Sequence, residues 1–169
     1  GTDRAAEPDR WRAVAGGVSD PEIPVLTLQD LGIVRDVAVD EADGTVLVTL
    51  TPTYTGCPAT AVIAADVEAA LRAAGAERVL VRTVLAPAWS TDWISPDGRE
   101  KLRQYGIAPP GACRPAGSAA RPVGLTLSVR CPRCGSGRTR EVSRFGSTPC
   151  KSQWRCKDCL EPFDRFKCH

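Results

Sequence analysis

Two pairs of closely spaced cysteines are the residues of this chain best suited to chemistry. They are Cys131 with Cys134 and Cys156 with Cys159, each pair separated by two residues. Two cysteines at this spacing on a tight turn direct both sulfurs at one ion, and Gly135 permits the backbone conformation that such a turn needs. Four thiolates in a tetrahedron suit Zn²⁺, which stabilises a domain too small for a large core. We therefore expect a zinc ribbon, with iron in a rubredoxin-like site as the alternative.

Three further groups near these pairs exceed what one tetrahedral ion requires. They are Cys150, Cys168 and His169. Cys150 and Cys168 are candidates for a second soft-metal site, a redox-active pair or replacement ligands, and equally for small side chains that pack beside the zinc site. Their spacing does not decide between these roles. Cys113 lies in a Pro- and Gly-rich stretch and is expected to be exposed and without a metal.

One cysteine, Cys57, lies far from the others, in a Gly-Cys-Pro loop before an Ala-rich segment with helical periodicity. Pro58 suits the first helical position, so Cys57 is expected at the N-terminal end of a helix. Free backbone N–H groups and the helix dipole lower a thiol pKa there, and a thiolate binds a soft metal or reacts as a nucleophile. The alternative is a small, half-buried cap residue. Asp20 and Glu22 are candidate neighbours in a loop fixed by prolines, although such carboxylates are commonly turn residues or caps.

The segments that must position these residues alternate between helical and strand patterns. Asp43-Gly44 is a turn signal between the first two strands and predicts a hairpin. A long Ala-rich helix then packs on a mostly antiparallel sheet, which gives an α+β fold. Helices are predicted at 7–17, 59–74 and 96–104, and strands at 31–39, 45–51 and 78–85.

Composition divides the chain into two domains and a linker. Residues 1–108 form the small helix-on-sheet domain, residues 109–123 are a Pro-, Gly- and Ala-rich linker, and residues 124–169 are a small all-β zinc ribbon that opens with a strand at 124–130. Charge follows the same division. Residues 1–112 carry 10 basic and 16 acidic side chains, whereas residues 113–169 carry 12 basic and 4 acidic ones.

The basic excess of the second half indicates an acidic partner. A nucleic-acid surface, with Trp154 and Phe145 as stacking platforms, is one interpretation. A protein partner is favoured, because metal-bound thiolates offset part of the charge and the first half of the chain is itself acidic. No apolar run is long enough to span a membrane, and the start of the chain has no signal-peptide core. We therefore expect a cytoplasmic protein, in which paired cysteines bind metal rather than form a disulfide framework.

The residues that enzymes use for acid–base or nucleophilic catalysis are scarce. The single histidine, His169, is the last residue, and neither a Ser-His-Asp grouping nor a Cys-His grouping is apparent. A glycine-rich loop for phosphate is also absent from the sequence. Cys57 has no evident neighbouring base. The sequence therefore predicts a protein that is not an enzyme.

Two motifs of the first domain resemble signatures of the SufT/PaaD-type iron–sulfur assembly family. They run from Asp20 to Val34 (DPEIPV…DLGIV) and from Thr51 to Pro58 (TPTYTGCP). The stretch APAWSTDWIS at 86–95, the segment YGIAPP at 105–110 and the C-terminal cysteine pairs resemble the phenylacetate-degradation members of that family. The resemblance extends over nearly the whole chain.

The resemblance implies a non-catalytic role in the maturation of iron–sulfur clusters or other metal centres. The pathway concerned begins with a multicomponent di-iron phenylacetyl-CoA epoxygenase that has a flavin and iron–sulfur reductase, and its proteins would be the clients. By the same resemblance, Cys57 with Asp20 and Glu22 would handle a transient cluster beside the structural zinc of the ribbon. The alternatives are a zinc-ribbon adaptor that stabilises the oxygenase complex without handling metal, and a nucleic-acid-binding ribbon protein. A homodimer stays open.

Overall fold

The computed structural model describes residues 7–53, 58–111 and 129–168. The chain divides into two compact units, Gly1–Gly98 and Arg99–His169. None of the helices in the described ranges is both long and apolar enough to cross a bilayer.

The first unit contains the helices and strands that the sequence patterns predict, with two short additions. The additions are α2, whose N-cap Thr27 forms a capping box with Asp30, and a 3₁₀ helix at Thr91–Trp93. The last helix, α4, runs across the boundary between the units. The elements are α1 (Glu7–Gly16), α2 (Leu28–Leu31), β1 (Val34–Val39), β2 (Val46–Leu50), α3 (Ala59–Ala73), β3 (Val79–Thr83) and α4 (Pro96–Gln104).

The sheet of the first unit has the strand order β1-β2-β3. β1 and β2 form the predicted antiparallel hairpin, with Gly44 in the left-handed region at φ +73°. β3 pairs parallel to β2, so the prediction of a mostly antiparallel sheet is wrong. The reason is that α3 connects β2 to β3, and a helical crossover returns the chain to the same end of the sheet and makes the second strand parallel.

One stripe of α3 closes the core of the first unit. Ile63, Val67 and Leu71 recur at helical spacing and are buried, whereas Val62 is 48% exposed on the opposite face. The strand beneath contributes Val46 and further buried residues of β2. The prediction of an α+β fold with a long helix packed on a sheet is therefore confirmed.

The second unit is built on a four-stranded sheet of order β4-β7-β6-β5. Its strands are β4 (Ile107–Ala108), β5 (Thr139–Ser143), β6 (Lys151–Cys156) and β7 (Pro162–Phe166). β5, β6 and β7 are antiparallel neighbours, and β4 pairs parallel to β7. Buried Phe163 and Cys156 share a small core with Ala108, Val129 and Cys131.

The boundary between the units differs from the one that the sequence predicts after residue 108. The two compact units meet between Gly98 and Arg99, because β4 pairs with β7 and brings the chain before the predicted linker into the ribbon sheet. Arg99 also donates a hydrogen bond of 2.6 Å to the carbonyl oxygen of Pro110. Most of the predicted linker and of the predicted strand at 124–130 lies outside the described residues.

Candidate metal centre

The two cysteine pairs lie on two turns at one end of the ribbon sheet. Cys131 and Cys134 precede β5, whereas Cys156 ends β6 and Cys159 lies in the turn before β7. The turns repeat the same backbone pattern, in which the N–H of the first cysteine donates to the carbonyl of the residue five positions on, at 2.9 Å and 3.0 Å. Each second cysteine is followed by a residue with positive φ, as the sequence predicts for Gly135 at +76°.

The structure brings the four sulfur atoms of these cysteines together, all within 4.8 Å of one another. The Sγ atoms of Cys131 and Cys159 are 3.7 Å apart, and those of Cys134 and Cys156 are 3.6 Å apart. Four sulfurs bound at about 2.3 Å around one tetrahedral ion lie about 3.8 Å from one another. The donor set therefore fits one zinc ion in both chemistry and spacing.

Backbone N–H groups around the second turn donate hydrogen bonds to its two sulfurs and favour their thiolate forms. The N–H groups of Cys159 and Asp158 donate to the sulfur of Cys156, and these hydrogen bonds lower the pKa of Cys156 to about 7. For Cys159, the N–H of Glu161 acts in the same direction, but burial and the neighbouring sulfurs outweigh it and raise the pKa to about 12. A metal ion is needed to hold both as thiolates near neutral pH.

A carboxylate joins the two turns beside the sulfurs. Asp158 accepts hydrogen bonds from the hydroxyl of Ser136 and from Arg138, whose guanidinium lies 2.7 Å away. The backbone N–H of Lys157 adds a 2.8 Å bond to the carbonyl oxygen of Arg138. The sequence patterns did not predict this clamp. The sequence shows polar residues beside each cysteine pair, which could have indicated such a clamp. Which of them pair with one another depends on how the two turns meet.

Cys150 and Cys168 do not belong to the cluster of four cysteine sulfurs. Cys150 is buried, and its sulfur is 3.0 Å from the hydroxyl oxygen of Thr148. Cys168 is disulfide-bonded, so the two are not joined to each other. His169 lies outside the described residues. Their roles as ligands or as a redox pair stay predictions.

The site predicted in the first unit is described only in part. The carboxylate of Asp20 is buried and accepts hydrogen bonds of 2.8 Å from the N–H groups of Glu22 and Ile23. This geometry is that of a turn-forming aspartate. Cys57 lies outside the described residues, so its proximity to Asp20 and Glu22 stays a prediction.

Comparison with known proteins covers both units. Residues 12–82 match the family described as "Iron-sulfur cluster assembly protein", and residues 116–167 match the "PaaD zinc beta ribbon domain". The fold of the first unit is similar to that of the "Domain of Unknown Function DUF59 from Bacillus anthracis". The TM-score is 0.53 and the sequence identity 30%, over 58% of this chain and 92% of that one.

Two curated relatives extend the comparison. The chain is 38% identical over 86 residues to the "Fe-S protein maturation auxiliary factor" of Porphyromonas gingivalis W83, covering 50% of this chain and 80% of that protein. It is 49% identical over 156 residues to a protein of Escherichia coli K12 named as a putative component of 1,2-phenylacetyl-CoA epoxidase, covering 92% of this chain and 90% of that protein. The chain therefore belongs to the PaaD family.

Proposed function

We propose that this chain is a non-catalytic, cytoplasmic accessory protein that assists maturation of an iron–sulfur cluster or other metal centre in a phenylacetyl-CoA epoxidase system. The observation that carries the proposal is the order of the two domains along the chain. An iron–sulfur assembly domain precedes a zinc ribbon, and the same chain is 49% identical over 92% of its length to a relative named as an epoxidase component. The other curated relative, named as a maturation auxiliary factor, supports an auxiliary rather than a catalytic role.

In this proposal the ribbon holds a resident zinc ion. Cys131, Cys134, Cys156 and Cys159 would bind it, and the ion would supply a permanent link between the two turns. No open coordination position is needed for such a role, since four thiolates complete a tetrahedron. The ribbon would then be a rigid docking element for the protein client.

The cargo would be handled in the first unit. Cys57 stands two residues before α3, a helix of 15 residues whose free N–H groups and dipole favour a thiolate. Asp20 and Glu22 would complete the site as oxygen donors. The cargo is an iron–sulfur cluster or its iron, which passes through the protein and is not its own cofactor.

A client assay tests this proposal. A bacterium that carries the epoxidase genes but lacks this protein would receive the wild-type chain, Cys57→Ser, or the control Cys150→Ser. Iron and acid-labile sulfide would then be measured in the purified epoxidase components. We expect both to fall at least about twofold with Cys57→Ser and to be restored by the wild type and by Cys150→Ser.

A second candidate, an adaptor that stabilises the epoxidase complex without handling metal, is favoured by the opposite charges of the two units. Residues 1–98 carry 7 basic and 15 acidic side chains, and residues 99–169 carry 15 basic and 5 acidic ones. An adaptor would leave the iron content of each client unchanged but reduce the amount of assembled complex. Unchanged client iron with Cys57→Ser would overturn the maturation role.

A further inference from the structure

A cavity of about 640 Å³ lies in the second unit, beside the first cysteine pair. One wall is the chain from Ala108 to Gly111, which starts at the last residue of β4, and another is the chain from Val129 to Gly135. Pro109, Pro110 and Val129 make part of this lining apolar. Four arginines complete the lining, namely Arg103, Arg130, Arg133 and Arg165. We call this cavity the arginine groove.

Two of the four groove arginines, Arg130 and Arg133, form no salt bridge within the described part of the chain; Arg130 donates to the carbonyl oxygen of Gly135 at 3.3 Å. Arg103 forms an ion pair with Glu100. Arg165 lies over the ring of Trp154 at 5.6 Å and interacts electrostatically with Glu141, although it forms no salt bridge with it. The Nε of Arg165 is buried and has no hydrogen-bond partner among the described residues. Guanidinium groups left in this state favour an incoming anion.

The chain itself offers little to neutralise the groove. In the sequence, residues 112–128 between these two segments contain two arginines and no Asp or Glu. Zinc with four thiolates carries a net charge of about −2, which attracts cations at short range. However, none of the four arginines donates a hydrogen bond to a cysteine sulfur within the described ranges. The groove therefore keeps a positive charge that can attract an anionic ligand from outside the chain.

We propose that the arginine groove binds an acidic, partly apolar segment of a partner polypeptide. Charge complementarity requires an anion, and the proline and valine lining favours one that also carries methylene or methyl groups. No aromatic side chain lines the groove among the described residues, so a nucleic-acid base has no stacking platform there. The volume lies within the range of sites for small ligands and accommodates a short stretch of extended peptide.

This inference rests on the proposed function only in taking the partner to be a protein client. Peptide binding is measured on the purified protein, whereas maturation is measured by iron in the client. If peptide binding fails, the iron content of the client can still be interpreted, and the reverse also holds.

The test uses the full-length, zinc-loaded chain and a fluorescein-labelled octapeptide of four Glu and four Ala, with fluorescence anisotropy at two salt concentrations. Arg133→Gln removes one exposed groove guanidinium, and Arg140→Gln is the matched control, an exposed arginine on β5 that does not line the groove. We expect Arg133→Gln to weaken the affinity at least about fivefold and Arg140→Gln to change it less than about twofold. Higher salt should weaken the wild type more than Arg133→Gln.

Three results would overturn the proposal: no peptide binding by the wild type, an equal loss with both variants, or tight binding of inorganic pyrophosphate or a uridine oligonucleotide that the peptide does not displace. The last two would indicate general charge attraction and a phosphate site, respectively. Zinc content and circular dichroism report whether each variant is folded. If Arg133→Gln loses zinc, amide chemical shifts of the wild type during peptide titration decide, because binding in the groove must move residues 108–111 and 129–135 most.

Discussion

The sulfur atoms of Cys131 and Cys159 lie 3.7 Å apart although 28 positions separate these residues in the chain. Cys134 and Cys156 form the second such contact, at 3.6 Å. Each cysteine of one turn therefore meets a cysteine of the other turn, and neither pair closes the site by itself. The metal ion would join the start of β5 to the end of β6 and the start of β7, which makes metal binding and ribbon folding one event.

Replacement of one of the four clustered cysteines should remove the metal. We expect Cys131→Ser to retain less than about 0.3 zinc per chain, because a three-thiolate site loses both affinity and the link between the turns. Elemental analysis after gel filtration measures this. Cys150→Ser is the control, since its buried thiol lies beside Thr148 and outside the cluster, and it should keep one zinc. Equal zinc in the two variants would contradict the assigned ligands.

Zinc affinity should fall as the pH is lowered, with a change in proton release near neutrality. The N–H groups of Cys159 and Asp158 lower the pKa of Cys156 to about 7. The thiolate therefore stabilises the metal-free fold fully at pH values above the ordinary thiol pKa, and this contribution to the free energy of unfolding is lost as the pH falls through about 7. Zinc binding should therefore release about one more proton at pH 6 than at pH 8. Indicator dyes in weakly buffered solution measure the count. If the number of protons released at pH 6 equals or is smaller than the number released at pH 8, Cys156 is not a thiolate before zinc binds.

Loss of the carboxylate clamp should speed zinc release without abolishing binding. Asp158→Asn weakens the contacts to Ser136 and Arg138 that hold the second turn against the first. Since exposed charge pairs contribute about 0.2–1 kcal/mol each, the rate of zinc transfer to a chelator should rise about threefold to tenfold. Glu161→Gln removes a nearby exposed charge and should leave the rate unchanged. Equal rates in both variants would show that the clamp does not position the site.

Alanine substitutions at two glycines of the first unit distinguish the cost of a strained backbone from the cost of a steric clash. Gly32 and Gly44 have φ of +69° and +73°, but a Cβ on Gly32 would lie 2.8 Å from the carbonyl oxygen of Trp93, whereas a Cβ on Gly44 meets nothing within 4 Å. Alanine at Gly44 should lower the free energy of unfolding by about 1 kcal/mol, and alanine at Gly32 by about 3 kcal/mol or more. Urea unfolding of the zinc-loaded protein measures both. Equal losses would mean that the packing of Trp93 against Gly32 is not needed.

The sequence predicted the features that depend on local spacing. The two C-x-x-C turns, the stop of α3 near Gly75 and the hairpin at Gly44 each follow from a few neighbouring residues. The parallel pairing of β2 with β3 was signalled by the helix between them, but the alternating strand pattern alone does not carry strand direction. The clamp at Asp158, the pairing of β4 and the arginine groove depend on contacts between distant segments, which spacing does not encode.

The most direct test of cluster handling at Cys57 is anaerobic reconstitution of the purified chain with iron and sulfide, followed by zinc and iron analysis and visible absorption. We expect about one zinc per chain in both the wild type and Cys57→Ser. We expect additional iron and a coloured product in the wild type alone. A wild type that stays colourless with zinc only, or a Cys57→Ser variant that binds as much iron as the wild type, would contradict cluster handling at Cys57.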